Sequence, residues 1–159
     1  MEKVYVGKIV NTFGIKGELK IASRFEMAEK VFQKGQKILL NNEVYQITSV
    51  RYHKKHYLVV INDLDNINLV LKYKGLAVFI LKDSLELKEE EYLMSDLINL
   101  EVYDNNSLIG TVTEVVEAEA NPLIKVNNQF YIPLKANYIK IVDIKNERID
   151  TENIKELML

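Results

Sequence analysis

The sequence predicts an all-β protein built as two small β-barrels with a few short helices. Three observations predict it. Apolar and polar residues alternate with a period of two along most of the chain, Asn- and Gly-based turn signals separate the runs, and helical stripes are few and short. At 159 residues, with 48% apolar and 28% charged residues, the chain has globular composition and the length of one average domain or two small ones.

In the first half, strands are expected at Val4–Val10, Glu18–Ser23, Lys37–Leu40, Val44–Tyr52, Tyr57–Ile61 and Leu76–Ile80. So many short strands favour a closed barrel, because closure removes the edges on which another chain could pair. Two interruptions read as helical. Phe25, Ala28 and Phe32 recur at helical spacing before Gly35, and Leu64, Ile67 and Leu71 do so before Gly75. Glycine after each run suits the left-handed residue that closes many helices. Both stripes are expected to pack on the barrel.

The segment LKDSLELKEEEYLMSD follows, and residues 81–93 are expected to link domain 1–80 to domain 94–159. Further strands are predicted at Leu100–Tyr103, Ser107–Val116, Pro122–Val126, Gln129–Pro133 and Ile139–Ile144. Asp104-Asn105-Asn106 and Asn127-Asn128 fall between strands, where side chains that tolerate left-handed turns belong. The glutamates at 89–91 and at 114, 117 and 119 are expected on solvated faces.

Charge divides the chain. The net charge is −2, yet residues 1–80 hold 13 Lys+Arg against 7 Asp+Glu, and residues 81–159 hold 8 against 16. A basic half can follow phosphates, and an acidic half can attract a basic protein. Two solvated domains with uneven surfaces would look the same. Cysteine is absent and histidine occurs only at 53 and 56, which excludes disulfides, thiolate chemistry and cysteine-ligated metals. No apolar run is long enough for a membrane helix, and MEKVYVGKIV lacks the apolar stretch of a signal peptide, so a cytoplasmic location is expected.

Two segments carry candidate binding chemistry. In VGKIVNTFGIKGELKI, Gly14 and Gly17 lie between strands, where successive amides can form an anion nest with Lys16 and Lys20 supplying charge. A plain strand-connecting turn needs the same glycines. No GK[ST] follows, so this is not a nucleotide P-loop. In RYHKKHY, Arg51, His53, Lys54, Lys55 and His56 fall at an expected hairpin tip between Tyr52 and Tyr57. Such a tip can meet phosphates and stack on an exposed base, or it can simply be solvated. The two histidines lack a third ligand, so no metal and no cofactor is expected. No serine sits in a G-x-S-x-G elbow, and carboxylates are too numerous for any pair to single itself out. The residues read as a binding protein and not an enzyme.

The order of these segments resembles the bacterial ribosome maturation factor RimM family over essentially the whole chain. The family pattern G-x-I-x-x-x-H-G-I-x-G-E-x-K-I is met at Gly7 to Ile21, through Gly14-Ile15, Gly17-Glu18 and Lys20-Ile21. Glu91-Tyr92, Asp96-Leu97-Ile98, Glu101-Val102, Ile109-Gly110-Thr111-Val112, Ala120-Asn121, Ile132-Pro133 and Val142-Asp143 follow in family order. The resemblance implies a translation-factor-like N-terminal barrel and a PRC-type C-terminal barrel. It implies a monomer that assists assembly of the 30S head and 16S rRNA processing without catalysis, binding the small-subunit head protein numbered nineteen. On this basis Tyr92, Leu93, Met94 and Asp96 are expected to meet the ribosomal protein. Gly14, Lys16, Gly17, Lys20, Arg51, Lys54 and Lys55 are expected to meet 16S rRNA. Phe13 stands where the family has His, and Leu93 and Met94 replace family aromatics. A general RNA-binding barrel protein of translation or tRNA maturation is the alternative, and binding to any RNA equally would favour it.

Overall fold

A computed structural model describes residues 2–118 and 120–159; Glu119, expected on an acidic face, lies outside them. The chain divides into two compact units, Met1–Glu86 and Leu87–Leu159.

The first unit is a closed antiparallel barrel. Its strands are β1 (Lys3–Phe13), β2 (Glu18–Ala22), β3 (Lys37–Leu40), β4 (Glu43–His53), β5 (His56–Ile61) and β6 (Ala77–Leu81). Around the barrel they run β1-β2-β5-β4-β3-β6, and β6 pairs with β1. Ile9, Leu19, Ile21, Ile38, Ile47, Val59, Ile61 and Ile80 are fully buried, each contributing about 1.5–3 kcal/mol relative to exposure. The two long strands, β1 and β4, must bend to close so small a ring. Their registers shift at Tyr5/Gly7, Ile9/Asn11 and Ile47/Ser49, where a bulge sharpens the local twist.

Both predicted helical stripes form, as single turns. α1 (Ala28–Val31) buries Val31 and the following Phe32. α2 (Ile67–Val70) is capped by Asn66, whose side chain accepts the Asn68 amide, and it tightens into a 3-10 turn at Leu71–Tyr73. That tightening changes which face is inside. With three residues per turn, Ile67, Val70 and Tyr73 align, so Val70 and Tyr73 are buried and Leu71, expected in the core from a 3.6 period, is 50% exposed.

The second unit is a six-stranded sheet. Its strands are β7 (Glu101–Asp104), β8 (Ser107–Val116), β9 (Leu123–Val126), β10 (Phe130–Pro133), β11 (Ile139–Asp143) and β12 (Arg148–Thr151), in the order β10-β9-β8-β7-β12-β11. Phe130 and Ile132 of β10 share one core with Ile149 of β12. Ile139 and Val142 of β11, at the other end of the order, pack against the same core, so the sheet curls around it. β12, which the sequence did not disclose, pairs parallel with β7, Ile149 opposite Val102. Next to it Asp104 is buried, its carboxylate accepting the Thr151 hydroxyl at 3.2 Å, and the same hydroxyl lies 2.7 Å from the Tyr103 carbonyl. Gly110 admits the Asn127 side chain, which accepts the Thr111 amide and donates to the Ile109 carbonyl, both at 3.1 Å. A Cβ at Gly110 would lie 2.1 Å from that side chain.

Candidate functional site

β4 and β5 form a hairpin closed by Lys54 and Lys55, with His53 paired to His56. Both turn residues are left-handed, at φ 46° and 69°, the geometry of the two-residue turn that matches strand twist. Both lysines are exposed, and among the described residues neither ammonium is in an ion pair. Free, projecting cations of this kind can neutralise phosphates.

Side chains alternate along the hairpin, giving it two unlike faces. On one face Arg51 grips Glu18 of β2 with two hydrogen bonds, at 2.8 and 2.9 Å. Its guanidinium lies 5.5 Å from the centre of the Phe13 ring, and His53 meets the same ring edge-on at 5.3 Å. Phe13 thus gives this face of the hairpin an aromatic seat. The Arg51 hydrogen bond, assisted by the charges of His53 and Lys16, holds the Glu18 carboxyl below the usual carboxylate range. Arg51 therefore enters the site with its charge already answered. Its role there is to tie β4 to β2, and a phosphate would have to compete with Glu18 for it.

The opposite face is aromatic. Phe32 is buried and stacks on Tyr57 at 4.5 Å and 25°. Tyr57 in turn meets Tyr52 edge-on at 4.9 Å, and Tyr52 is 63% exposed.

The Gly14–Gly17 loop closes the β1–β2 hairpin, and Lys16 is exposed on it. Gly17 serves a close approach: a Cβ there would lie 2.0 Å from the Leu64 carbonyl, and the Ile15 carbonyl accepts the Ile67 amide at 2.9 Å. The backbone around Gly17 is thus spent on the turn before α2, which is the plain reading of this glycine. Lys20 stands on the barrel wall opposite Leu58, and Arg51 stands opposite Leu58 from the other side. Lys16, Lys20, Lys54 and Lys55 thus share the β1–β2 and β4–β5 region of one barrel.

The expected protein-binding residues lie at the start of the second unit. Leu93 and Met94 are 2% and 6% exposed; Met94 belongs to the second core, and Tyr92 packs against that core half-buried. As anchors for a partner Leu93 and Met94 need correction, since aliphatic side chains at these positions stabilise the unit by burial and offer no surface. Asp96 accepts the Leu93 amide at 3.1 Å and starts a 3-10 turn at Met94–Leu97. Tyr92 is half-buried, and Lys88, Glu89, Glu90 and Ser95 are exposed on either side of it.

Among the described residues no group of three or more His, Asp or Glu side chains is placed to hold a metal ion, and no helix is long and apolar enough to cross a membrane. The contacts joining residue 51 to 18 and to 13 could not be read from sequence, because they span β-pairings about the barrel.

Comparison with known proteins gives this geometry its context. The RimM N-terminal domain family matches residues 4–85 and the RimM PRC barrel domain family matches residues 94–157. The ribosome maturation factor RimM of Staphylococcus haemolyticus is 36% identical over 156 residues, covering 92% of this chain and 93% of its own. That of Staphylococcus saprophyticus is 34% identical over 166 residues, covering 98% and 99%. A solved Pseudomonas aeruginosa structure, described as a 16S ribosomal RNA processing protein RimM, has 21% identity and a TM-score of 0.48 over 95% of this chain and 97% of its own. Two domain families in the right order and full-length relatives above 30% identity lead to one conclusion: the chain belongs to the RimM family of ribosome maturation factors.

Proposed function

We propose that this chain assists assembly of the 30S head and 16S rRNA processing by binding, without catalysing a reaction. The basic first unit would hold 16S rRNA through Lys16, Lys20, Lys54 and Lys55. The second unit would hold the head protein numbered nineteen, with Tyr92 as the aromatic contact and Glu89 and Glu90 as an acidic rim. One observation carries the reading: the two units have separate cores and opposite charge. The first holds 14 Lys+Arg against 9 Asp+Glu, the second 7 against 14. Rim charges set orientation and on-rate more than affinity, and a central aromatic supplies the affinity.

A binding factor changes an assembly pathway only as far as it prefers one state of the particle. Simultaneous contact with a protein and with rRNA supplies such a preference, because both are in reach only while the head is unfinished. The chain should co-sediment with free 30S particles and not with 70S ribosomes on a sucrose gradient. Tyr92→Ala should weaken binding to the purified head protein about tenfold with the circular dichroism spectrum retained. Unchanged affinity would remove Tyr92 from the interface, and equal binding to any RNA would favour a general RNA-binding protein.

A further inference from the structure

The molecule has five adjacent pairs of left-handed non-glycine residues among those described: Asn41-Asn42, Lys54-Lys55, Asn62-Asp63, Asn105-Asn106 and Asn127-Asn128. Four use Asn or Asp, whose short polar side chains bear that conformation best. Three of them also put the side chain to work, Asn42 accepting from the Lys3 ammonium, Asn62 accepting the Gln46 amide and Asn127 bridging Thr111 and Ile109. Lys54-Lys55 is the exception. The turn itself requires both positive φ values, but lysine is a poor residue for them, so the turn does not account for the choice of Lys-Lys.

Beside the lysines ends the aromatic series of Phe32, Tyr57 and Tyr52. It rises from a 3% exposed ring to a 63% exposed one, each ring held against the next. Tyr52 is held by half-buried Tyr57, itself stacked on buried Phe32; a ring restrained in this way offers π-surface at little entropic cost, and every nucleobase has a π-face to match it. Such a face is usable only by an unpaired base, because bases in a duplex are already stacked on each other.

We propose that the β4–β5 hairpin tip is a single-strand reader: Tyr52 stacks on an unpaired base of RNA while Lys54 and Lys55 hold the flanking phosphates. The inference rests on the reading of the first unit as the rRNA-binding one, and adds the kind of rRNA it takes. Charge complementarity selects a polyanion, and the exposed ring selects its single-stranded form. The Phe13 face of the hairpin plays no part in base contact, since its cation is committed to Glu18.

The test uses the full-length chain and two labelled RNAs of about 12 nucleotides, one unstructured and one fully duplexed, compared by fluorescence anisotropy at fixed salt. The native chain should prefer the single strand about tenfold. Tyr52→Leu, which keeps apolar bulk and loses the π-face, should abolish that preference and leave duplex binding unchanged. Tyr52→Phe should retain it, which also shows that the hairpin still folds. Equal binding of both RNAs by the native chain, or a Tyr52→Leu variant that keeps the preference, would overturn the single-strand reader while leaving rRNA binding intact. A native chain that binds neither RNA would overturn the rRNA reading itself.

Discussion

Gly17 and Glu18 are neighbours, and each shows how one residue joins distant parts of the barrel. Gly17 has a φ of +83° and faces the Leu64 carbonyl where a Cβ would stand. Replacing it with alanine adds left-handed strain and forces backbone apart, so Gly17→Ala should destabilise the first unit by about 3 kcal/mol, read as a lower urea midpoint. Glu18 acts through charge. Its carboxyl is held below the ordinary carboxylate range chiefly by the Arg51 hydrogen bond, so the unfolded chain takes up this proton more readily than the folded one. The pair's contribution is therefore complete above the ordinary carboxylate pKa and is lost as pH falls through the lowered one. Because Arg51 is 54% exposed, the contribution is about 0.2–1 kcal/mol. Glu18→Gln should accordingly lower stability at pH 7 by that amount, and the gap from the native chain should close in strong acid.

At the scale of the element, the β4–β5 hairpin sets turn stability against charge. An Asn-Gly pair suits two left-handed positions far better than Lys-Lys does. Lys54→Asn with Lys55→Gly should therefore raise stability by about 1–2 kcal/mol, seen as an upward shift of the urea midpoint. Its RNA binding should fall at the same time. A gain in stability with unchanged binding would mean that the lysines are merely solvated. The short helices make a related point about rigidity. α2 spends four residues on one turn and then tightens, which buries Val70 and Tyr73 but leaves Leu69 and Leu71 about half exposed.

The whole molecule is two cores with opposite charge, and charge is where salt dependence enters. Every phosphate that a protein cation ceases to neutralise reduces the slope of log affinity against log salt by about 0.7–0.9. Reversing both lysines, Lys54→Glu with Lys55→Glu, should weaken association with immature 30S particles and flatten that slope by about 1.5. An unchanged slope would place the tip off the phosphate backbone. Binding to the head protein should be unaffected by the same change, because the second unit has its own core and its own charge.

The β-rich character, most strand positions and the turn pairs at Asn105-Asn106 and Asn127-Asn128 were legible in the sequence, because alternation and left-handed tolerance are local properties. Ser107–Val116 and Lys37–Leu40 form with the expected bounds. The opposite charges of the two halves were equally legible, since they need only counting. Tertiary structure alone decided the rest. β12 exists as a strand because β7 lies beside it, a parallel pairing across more than forty residues. Leu93 and Met94 are both buried and Met94 joins the core of the second sheet, yet nothing in YLMSD distinguishes a buried methionine from an exposed one. Arg51 is no longer a free charge because the barrel brings Glu18 within 2.8 Å of it. Local sequence determines which residues can turn, alternate and carry charge. Whether a given side chain meets solvent or a partner depends on closure of the sheet, which sums contacts from strands far apart in the chain.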